Sequence, residues 1–323
     1  MVSADDFQWI EVPTPELSDG QVLLRNLYLS CDPAQRGWMA RDSYLPAVQL
    51  GEVMRSGGIG EVVKSRHHEF EPGQLVSGVL GWQDFAIISP GPSSMISPLL
   101  PGVPIEANLS VLGLNGLTAY FGLLEIGGPQ PGETVVISAA AGATGSAAGQ
   151  IALIKGCRVV GIAGGPDKCQ YVSELGFHAV IDYKAEDVDA RLREMCPKGI
   201  DIYFDNVGGH LLDAALSLLA MRGRVILCGA IALYNDETPP PGPSHYFNLA
   251  LQRGRMEGFI VLDYYNRAAE AIPDLYRWLT EGKLKYRTDV VNGLENAPTA
   301  LARLFKGENL GKQVVKVADP SQG

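Results

Sequence analysis

The chain has 323 residues, 46% hydrophobic and 19% charged, with a formal net charge of −10. That length and apolar share allow two domains of ordinary size, each with its own core. An acidic chain without a Lys/Arg run does not suit nucleic acid, and no apolar stretch is long enough to span a bilayer as a helix, so neither partner is expected.

The N-terminal MVSADDFQW lacks the basic and apolar blocks of a secretory signal, and a cytoplasmic location is expected. Through the first hundred residues, rich in Gly and Pro, short alternating apolar runs lie between turn signals: QVLLRNLYL (21–29), IGEVVKS (59–65), GQLVSGVL (73–80) and DFAIIS (84–89). This pattern predicts an antiparallel β domain of short strands. The five cysteines are scattered and never form a C-x-x-C pair, which favours reduced thiols over a disulfide framework or a four-cysteine zinc lobe.

From about Leu109 strands and helices alternate. Strands are predicted over 135–141, 158–164, 179–183, 200–208, 224–230 and, as GFIVL, 258–262. Helices are predicted over 146–156, 167–176, 187–196, 211–223, about 246–254 and 267–282. The strands are nearly continuous Val/Ile/Leu runs, as in a parallel sheet covered on both faces, and the alternation predicts a doubly wound α/β domain. TPPPGP (238–243) reads as a stiff loop. The tail returns to strand, helix and strand (TDVV, APTALARLFKG, KQVVKV), which predicts that it rejoins the first domain and makes the parallel-sheet domain an insertion.

Between VVIS and the following helix, Ala140, Gly142 and Gly145 take the three positions of G-x-G-x-x-G, with Ala143 and Thr144 inside the turn. Such a turn lets backbone approach a pyrophosphate and offers the free N–H groups of a helix start to it. Tight strand–helix packing without a ligand would use the same glycines; the position at the first turn of alternating units favours a dinucleotide. NAD-binding sheets usually end their second strand on a carboxylate that holds the ribose 2′-OH. Here that strand ends IAGGP, with Gly164 and Gly165, no carboxylate before Asp167, and Lys168 next. This favours the 2′-phosphate of NADP(H); the alternative for Lys168 is an ordinary solvated helix lysine, and Asp167 beside it weighs toward that alternative.

The segments GQVLLRNLYLSCDPAQRGWM (20–39), LGLNGLTAYFGLLEIG (112–127), VVISAAAGATGSAAGQ (135–150), FDNVGG (204–209), CGAIALYN (228–235), EGFIV (257–261) and GENLGKQVV (307–315) resemble one family. It is the zinc-free medium-chain dehydrogenase/reductases, in the prostaglandin reductase / leukotriene B4 12-hydroxydehydrogenase group with its bacterial curcumin-reductase-like relatives. The resemblance implies a GroES-like β domain over 1–108 and 286–323, and a Rossmann domain with a doubly wound parallel sheet over 109–285. It implies that Lys168 and Tyr183 hold the 2′-phosphate side of NADP(H). Asn206, the loop of Cys228, Gly229, Ala230 and Ile231, then Phe259, Ile260 and Val261, and Asn309 would line the rest. Tyr234 would face the substrate carbonyl as the catalytic residue, and Tyr44 would line the substrate pocket. A homodimer paired through the GFIVL region is also implied. Three departures stand out: the family carries a further stretch before FQWIEVP, Asn115-Gly116 replaces the MPG before LTAY, and Ala34 replaces an aromatic residue in DPAQRG.

The zinc-dependent cousins carry a GHE motif where this chain reads Leu50-Gly51-Glu52-Val53, without histidine, and His67 and His68 are adjacent, so no metal site is expected. Without a Lewis acid an alcohol loses its usual activation. Hydride addition to the β-carbon of an enone instead leaves charge on a carbonyl oxygen that one phenol can stabilise. The expected activity is therefore NADPH-dependent reduction of the C=C bond of α,β-unsaturated ketones and aldehydes, of the 15-oxoprostaglandin 13-reductase or alkenal/one reductase type, with the α-carbon proton from water or Tyr234. Quinone reduction and NADPH binding without turnover remain open, and loop packing is an alternative for Tyr234.

Overall fold

Alternation in the first hundred residues becomes pairing in the structure, a computed structural model that describes residues 2–236, 238 and 241–321. Strand β1 (Val22–Ser30) buries Val22, Leu24, Leu27 and Leu29 completely and pairs antiparallel with β2 (Gly57–Ser65) and β4 (Phe85–Ile88). Strand β3 (Leu75–Val79) pairs antiparallel with β2 on the side away from β1, and β5 (Ser97–Pro98) pairs with β3 and extends the edge. A helix unread in the sequence, α1 (Ala34–Ala40), follows β1.

Residues Ser110–Arg287 form a separate unit by their contacts. It opens with α2 (Leu114–Phe121), which runs into a π-helical turn, Gly122–Gly127. Then come β6 (Thr134–Ile137), α3 (Ala143–Ile154), β7 (Arg158–Ala163), α4 (Pro166–Glu174), β8 (Ala179–Asp182), α5 (Val188–Met195), β9 (Ile200–Asp205), α6 (Gly209–Ser217), β10 (Leu219–Leu227), α7 (Asn248–Leu251), β11 (Arg255–Gly258) and α8 (Ala268–Thr280). The sheet order is β11-β10-β9-β6-β7-β8, with every pairing parallel. Val135, Val136, Ile137, Val159, Val160, Ile202, Tyr203 and Phe204 have no exposed surface. Each such aliphatic side chain contributes about 1.5–3 kcal/mol by leaving water, which is why these strands read as unbroken apolar runs.

The chain then returns to the first sheet as β12 (Thr288–Asn292), α9 (Ala297–Lys306) and β13 (Lys312–Lys316), with β12 parallel to β13 and β13 antiparallel to β1. Met1–Leu109 and Thr288–Gly323 thus make the other unit.

Three boundaries differ from expectation. The helix expected over 211–223 ends at Ser217, because Leu219 pairs with Ile200 at the start of β10, and Arg222 takes a left-handed φ of 61°. The helix expected near 246–254 is only Asn248–Leu251. The edge strand expected as GFIVL is Arg255–Gly258 instead, all four residues exposed, and Val261–Arg267 is 3₁₀-helical. Apolar content misplaced that strand by about one turn, since an edge strand open to water tolerates Arg and Glu. Pro239 and Pro240 of the expected stiff loop lie outside the described residues. Among the described residues, no helix is long and apolar enough to cross a membrane.

Candidate active site

The sheet order places a switch point between β6 and β9: from β6 the chain winds outward through β7 and β8, then returns to β9 on the other side. In open parallel sheets, ligands bind beyond the carboxyl ends of the strands at such a point. The candidate residues of this unit lie at those ends. Ala140–Gly145 follow β6, Lys168 and Tyr183 follow β7 and β8, Asn206 follows β9, Cys228–Tyr234 follow β10, and Phe259–Val261 follow β11. Tyr44 and Asn309 belong to the other unit.

The turn after β6 is built for a close approach. Gly142 caps α3, and a Cβ on Gly145 would stand 2.3 Å from the carbonyl oxygen of Ala139. No side chain fits there. Ala139 itself takes φ 48°, a left-handed conformation that costs a non-glycine residue roughly 1 kcal/mol. Ala140, at the first glycine position, is fully buried and donates its N–H to Ile162 O at 3.0 Å, so alanine serves there without strain. Asn115, the departure noted in α2, donates from Nδ2 to Thr144 Oγ1 at 3.2 Å and ties α2 to the turn. Gly149 is a packing residue: a Cβ would stand 1.9 Å from the Phe177 ring.

At the end of β7, a Cβ on Gly164 would meet Tyr183 Cε1 at 2.6 Å. The tyrosine ring therefore lies against a bare backbone at the end of β7, while its other parts remain exposed. Gly165, at φ 91°, donates its N–H to Asp182 Oδ1 at 2.8 Å, which shapes the turn before Lys168 in the first turn of α4. Bare backbone and a phenol therefore share this turn with the Asp182 carboxylate, whose Oδ1 is engaged by Gly165 N–H.

On the other side of the switch point, Asn206 donates Nδ2 to Ser138 O at 2.7 Å, and its carbonyl accepts the N–H of Ile231 at 3.2 Å. The Tyr234 hydroxyl accepts the N–H of Ala230 at 3.1 Å, which leaves its own proton for another acceptor. Burial raises the Tyr234 phenol above its usual pKa, so it remains a donor at neutral pH. Burial likewise pushes the Cys228 thiol up to about 12, which keeps it neutral. Phe259 sits against Gly122 of the π turn, where a Cβ would stand 2.6 Å from its ring. Asn235 Oδ1, beside Tyr234 in sequence, is buried without a hydrogen-bond partner among the described residues. In the other unit, the Tyr44 hydroxyl lies 3.0 Å from Trp38 Nε1, which donates to it, and Asn309 Nδ2 donates to Gly311 O at 3.0 Å.

The families that match this chain are described as the N-terminal domain of oxidoreductase, over residues 1–96, and zinc-binding dehydrogenase, over residues 143–280. The NADPH-dependent curcumin reductase of Escherichia coli is 45% identical, covering 95% of this chain and 90% of its own length. The NADP(+)-dependent 2-alkenal reductase of Nicotiana tabacum is 42% identical, covering 96% and 90%. The chain belongs to the medium-chain dehydrogenase/reductase family, in the prostaglandin reductase and curcumin reductase group. A solved structure of CurA from Vibrio vulnificus in complex with NADPH superposes with a TM-score of 0.92 at 44% identity, covering 98% of this chain and 96% of that one.

The zinc in that family description has no matching donor set here. Among the described residues, no group of three or more His, Cys, Asp or Glu side chains could hold a metal ion. Cys31 is buried, its thiol pushed up to about 12, and its carbonyl accepts the Lys312 ammonium at 3.1 Å. Prolonged dialysis against a chelator should therefore leave turnover unchanged; a loss reversed by stoichiometric zinc would refute this.

Sequence reasoning missed Ser138 and Asp205, and it marked Asn115 only as a departure from the family, without its bond to Thr144. The first two are buried polar residues within an apolar run and the FDNVGG motif, and their signal was the presence of uncompensated polar side chains in strands that are otherwise apolar.

Proposed function

We propose that this chain reduces the C=C bond of α,β-unsaturated ketones and aldehydes by delivering hydride to the β-carbon, with Tyr234 as the donor at the carbonyl oxygen. The enzyme is an NADP(H)-dependent oxidoreductase of the C=C-reducing kind. The observation that carries the finer reading is the Tyr234 hydroxyl: it accepts Ala230 N–H, its proton has no acceptor among the described residues, and burial keeps the phenol protonated.

The residues at the carboxyl edge fit the cofactor. The Ala140–Gly145 turn would take the pyrophosphate, Lys168 and Tyr183 the 2′-phosphate, and Asn206, Cys228–Ile231 and Phe259–Val261 the remainder; the resemblance to the family adds Asn309, which belongs to the other unit. When bound, NADPH supplies a hydride. The chain contributes at the substrate oxygen, where Tyr234 meets developing negative charge with a hydrogen bond aimed in advance. Tyr44 lines the substrate side. The substrate is a small enone of the 15-oxoprostaglandin or alkenal type. Turnover of NADPH with a panel of enones, against NADH and a simple quinone, tests this reading: it expects enone product and NADPH preference, and quinone-only consumption would overturn it.

We propose further that the protein is a homodimer. The edge strand β11 is exposed along its whole length, and the large apolar side chains of Phe247 (61% exposed) and Leu251 (54% exposed), just before it in the chain, are open to water in a lone chain. Replacing both Phe247 and Leu251 with Asp should convert a dimer to a monomer in light scattering. An unchanged mass would place the interface elsewhere.

A further inference from the structure

Asp205 closes β9, with 1% of its surface exposed. Its Oδ1 accepts from Ser138 Oγ at 3.1 Å, Tyr203 Oη at 3.2 Å, Val207 N at 3.0 Å and Gly208 N at 3.0 Å. Ser138, fully buried at the end of β6, also accepts the N–H of Asn206 on its Oγ at 2.8 Å, while its carbonyl takes Asn206 Nδ2 at 2.7 Å. Asn206 is therefore held at its backbone N–H by the Ser138 hydroxyl, which one buried carboxyl holds in turn, and at its amide by the main-chain carbonyl of the same residue. The same turn also carries the loop of Tyr234. The carbonyl of Asp205 accepts from Cys228 N at 2.9 Å and Gly229 N at 3.0 Å, Asn206 O from Ile231 N, and Val207 O from Ala232 N at 3.1 Å.

A buried carboxyl is expensive, and an apolar pair of the same shape would serve stability as well. What the polar pair adds is direction. The Ser138 hydroxyl fixes the Asn206 backbone from which the amide projects, so that Nδ2 meets Ser138 O and Oδ1 is left as an acceptor of fixed position. We propose that Ser138 and Asp205 are positioning residues that lock Asn206 as an acceptor toward the nicotinamide-side half of NADP(H). This rests on the reading of Asn206 as a cofactor residue. The adenosine half, held at Gly164, Lys168 and Tyr183, should not feel the lock.

The test compares two ligands, NADPH and adenosine 2′,5′-bisphosphate, by calorimetric titration. Asn206→Ala is expected to weaken NADPH about 10-fold and to leave the bisphosphate within 2-fold. If Asn206→Ala leaves NADPH unchanged, the cofactor role of Asn206 fails, and the lock fails with it. Ser138→Ala and Asp205→Asn are each expected to weaken NADPH by about 5- to 10-fold with the bisphosphate unaffected. The double variant Ser138→Ala/Asn206→Ala should be no weaker than Asn206→Ala alone, because the serine acts through the asparagine. Additive loss in the double variant, or equal weakening of the bisphosphate, would show a general structural role and overturn the proposal. Asn206→Asp keeps an acceptor but cannot donate to Ser138 O, and it removes nothing from the buried core. It should lose NADPH affinity as Asn206→Ala does; wild-type affinity would overturn the lock even if the Ser138 and Asp205 variants fail to fold.

Discussion

Replacing Tyr234 with Phe is expected to lower kcat on an enone by about 10²–10³, the equivalent of roughly 2–4 kcal/mol of transition-state stabilisation. The reasoning is geometric. The hydroxyl sits in the loop after β10 and accepts Ala230 N–H at 3.1 Å, so in the proposed role the donor is in place before charge develops. Phe keeps the ring and removes only the hydroxyl, whose oxygen lies 3.3 Å from where a Cβ on Gly229 would stand. NADPH affinity should stay within about 2-fold, since a phenol hydroxyl that acts on the substrate oxygen contributes little to cofactor binding. The pH profile gives an independent reading. Burial raises this phenol above its ordinary value of 10.0, so the wild-type rate should hold through neutral pH and fall only on the alkaline side as the donor ionises. The Phe variant should lose that alkaline limb. Unchanged kcat in Tyr234→Phe across several enones would remove Tyr234 from the chemistry.

Much of this arrangement is legible in the sequence, for reasons that can be stated residue by residue. The parallel sheet was readable because Val135–Ile137 and Ile202–Phe204 are buried on both faces, so composition alone marks them. The glycine turn was readable because Gly145 has a backbone oxygen where its Cβ would be. Contacts made at a distance in sequence were not readable. Asp205 and Ser138 are 67 residues apart, and neither has a local pattern that announces the other. The edge strand was misplaced because solvent exposure, which decides whether Arg255–Gly258 or Phe259–Leu262 pairs, depends on what lies beyond the sheet. Tyr44 was read as a pocket residue; its hydroxyl is engaged by Trp38, a partner six positions away that helix α1 brings near.

Gly164 shows how an absence in the sequence acquires a cause. Its missing side chain was read as a missing carboxylate, hence NADP(H). In the structure a Cβ at that position would stand 2.6 Å from Tyr183 Cε1 and 2.8 Å from Tyr183 Oη, so glycine also seats the tyrosine. Gly164→Asp should then act twice. It displaces the Tyr183 ring, and it sets a carboxylate at the end of β7, where NAD-binding sheets carry one, against a ligand bearing a 2′-phosphate. Like-charge juxtaposition of this kind costs several kcal/mol at worst, and we expect kcat/KM for NADPH to fall by about 10²-fold while that for NADH stays level or rises. Gly164→Ala separates the two effects: it moves Tyr183 without adding charge, and a loss of only about 3- to 10-fold for NADPH is expected. Steady-state kinetics with both cofactors on one enone decide it. If Gly164→Asp retains the wild-type preference for NADPH, the shelf of Gly164, Lys168 and Tyr183 is not where the 2′-phosphate rests.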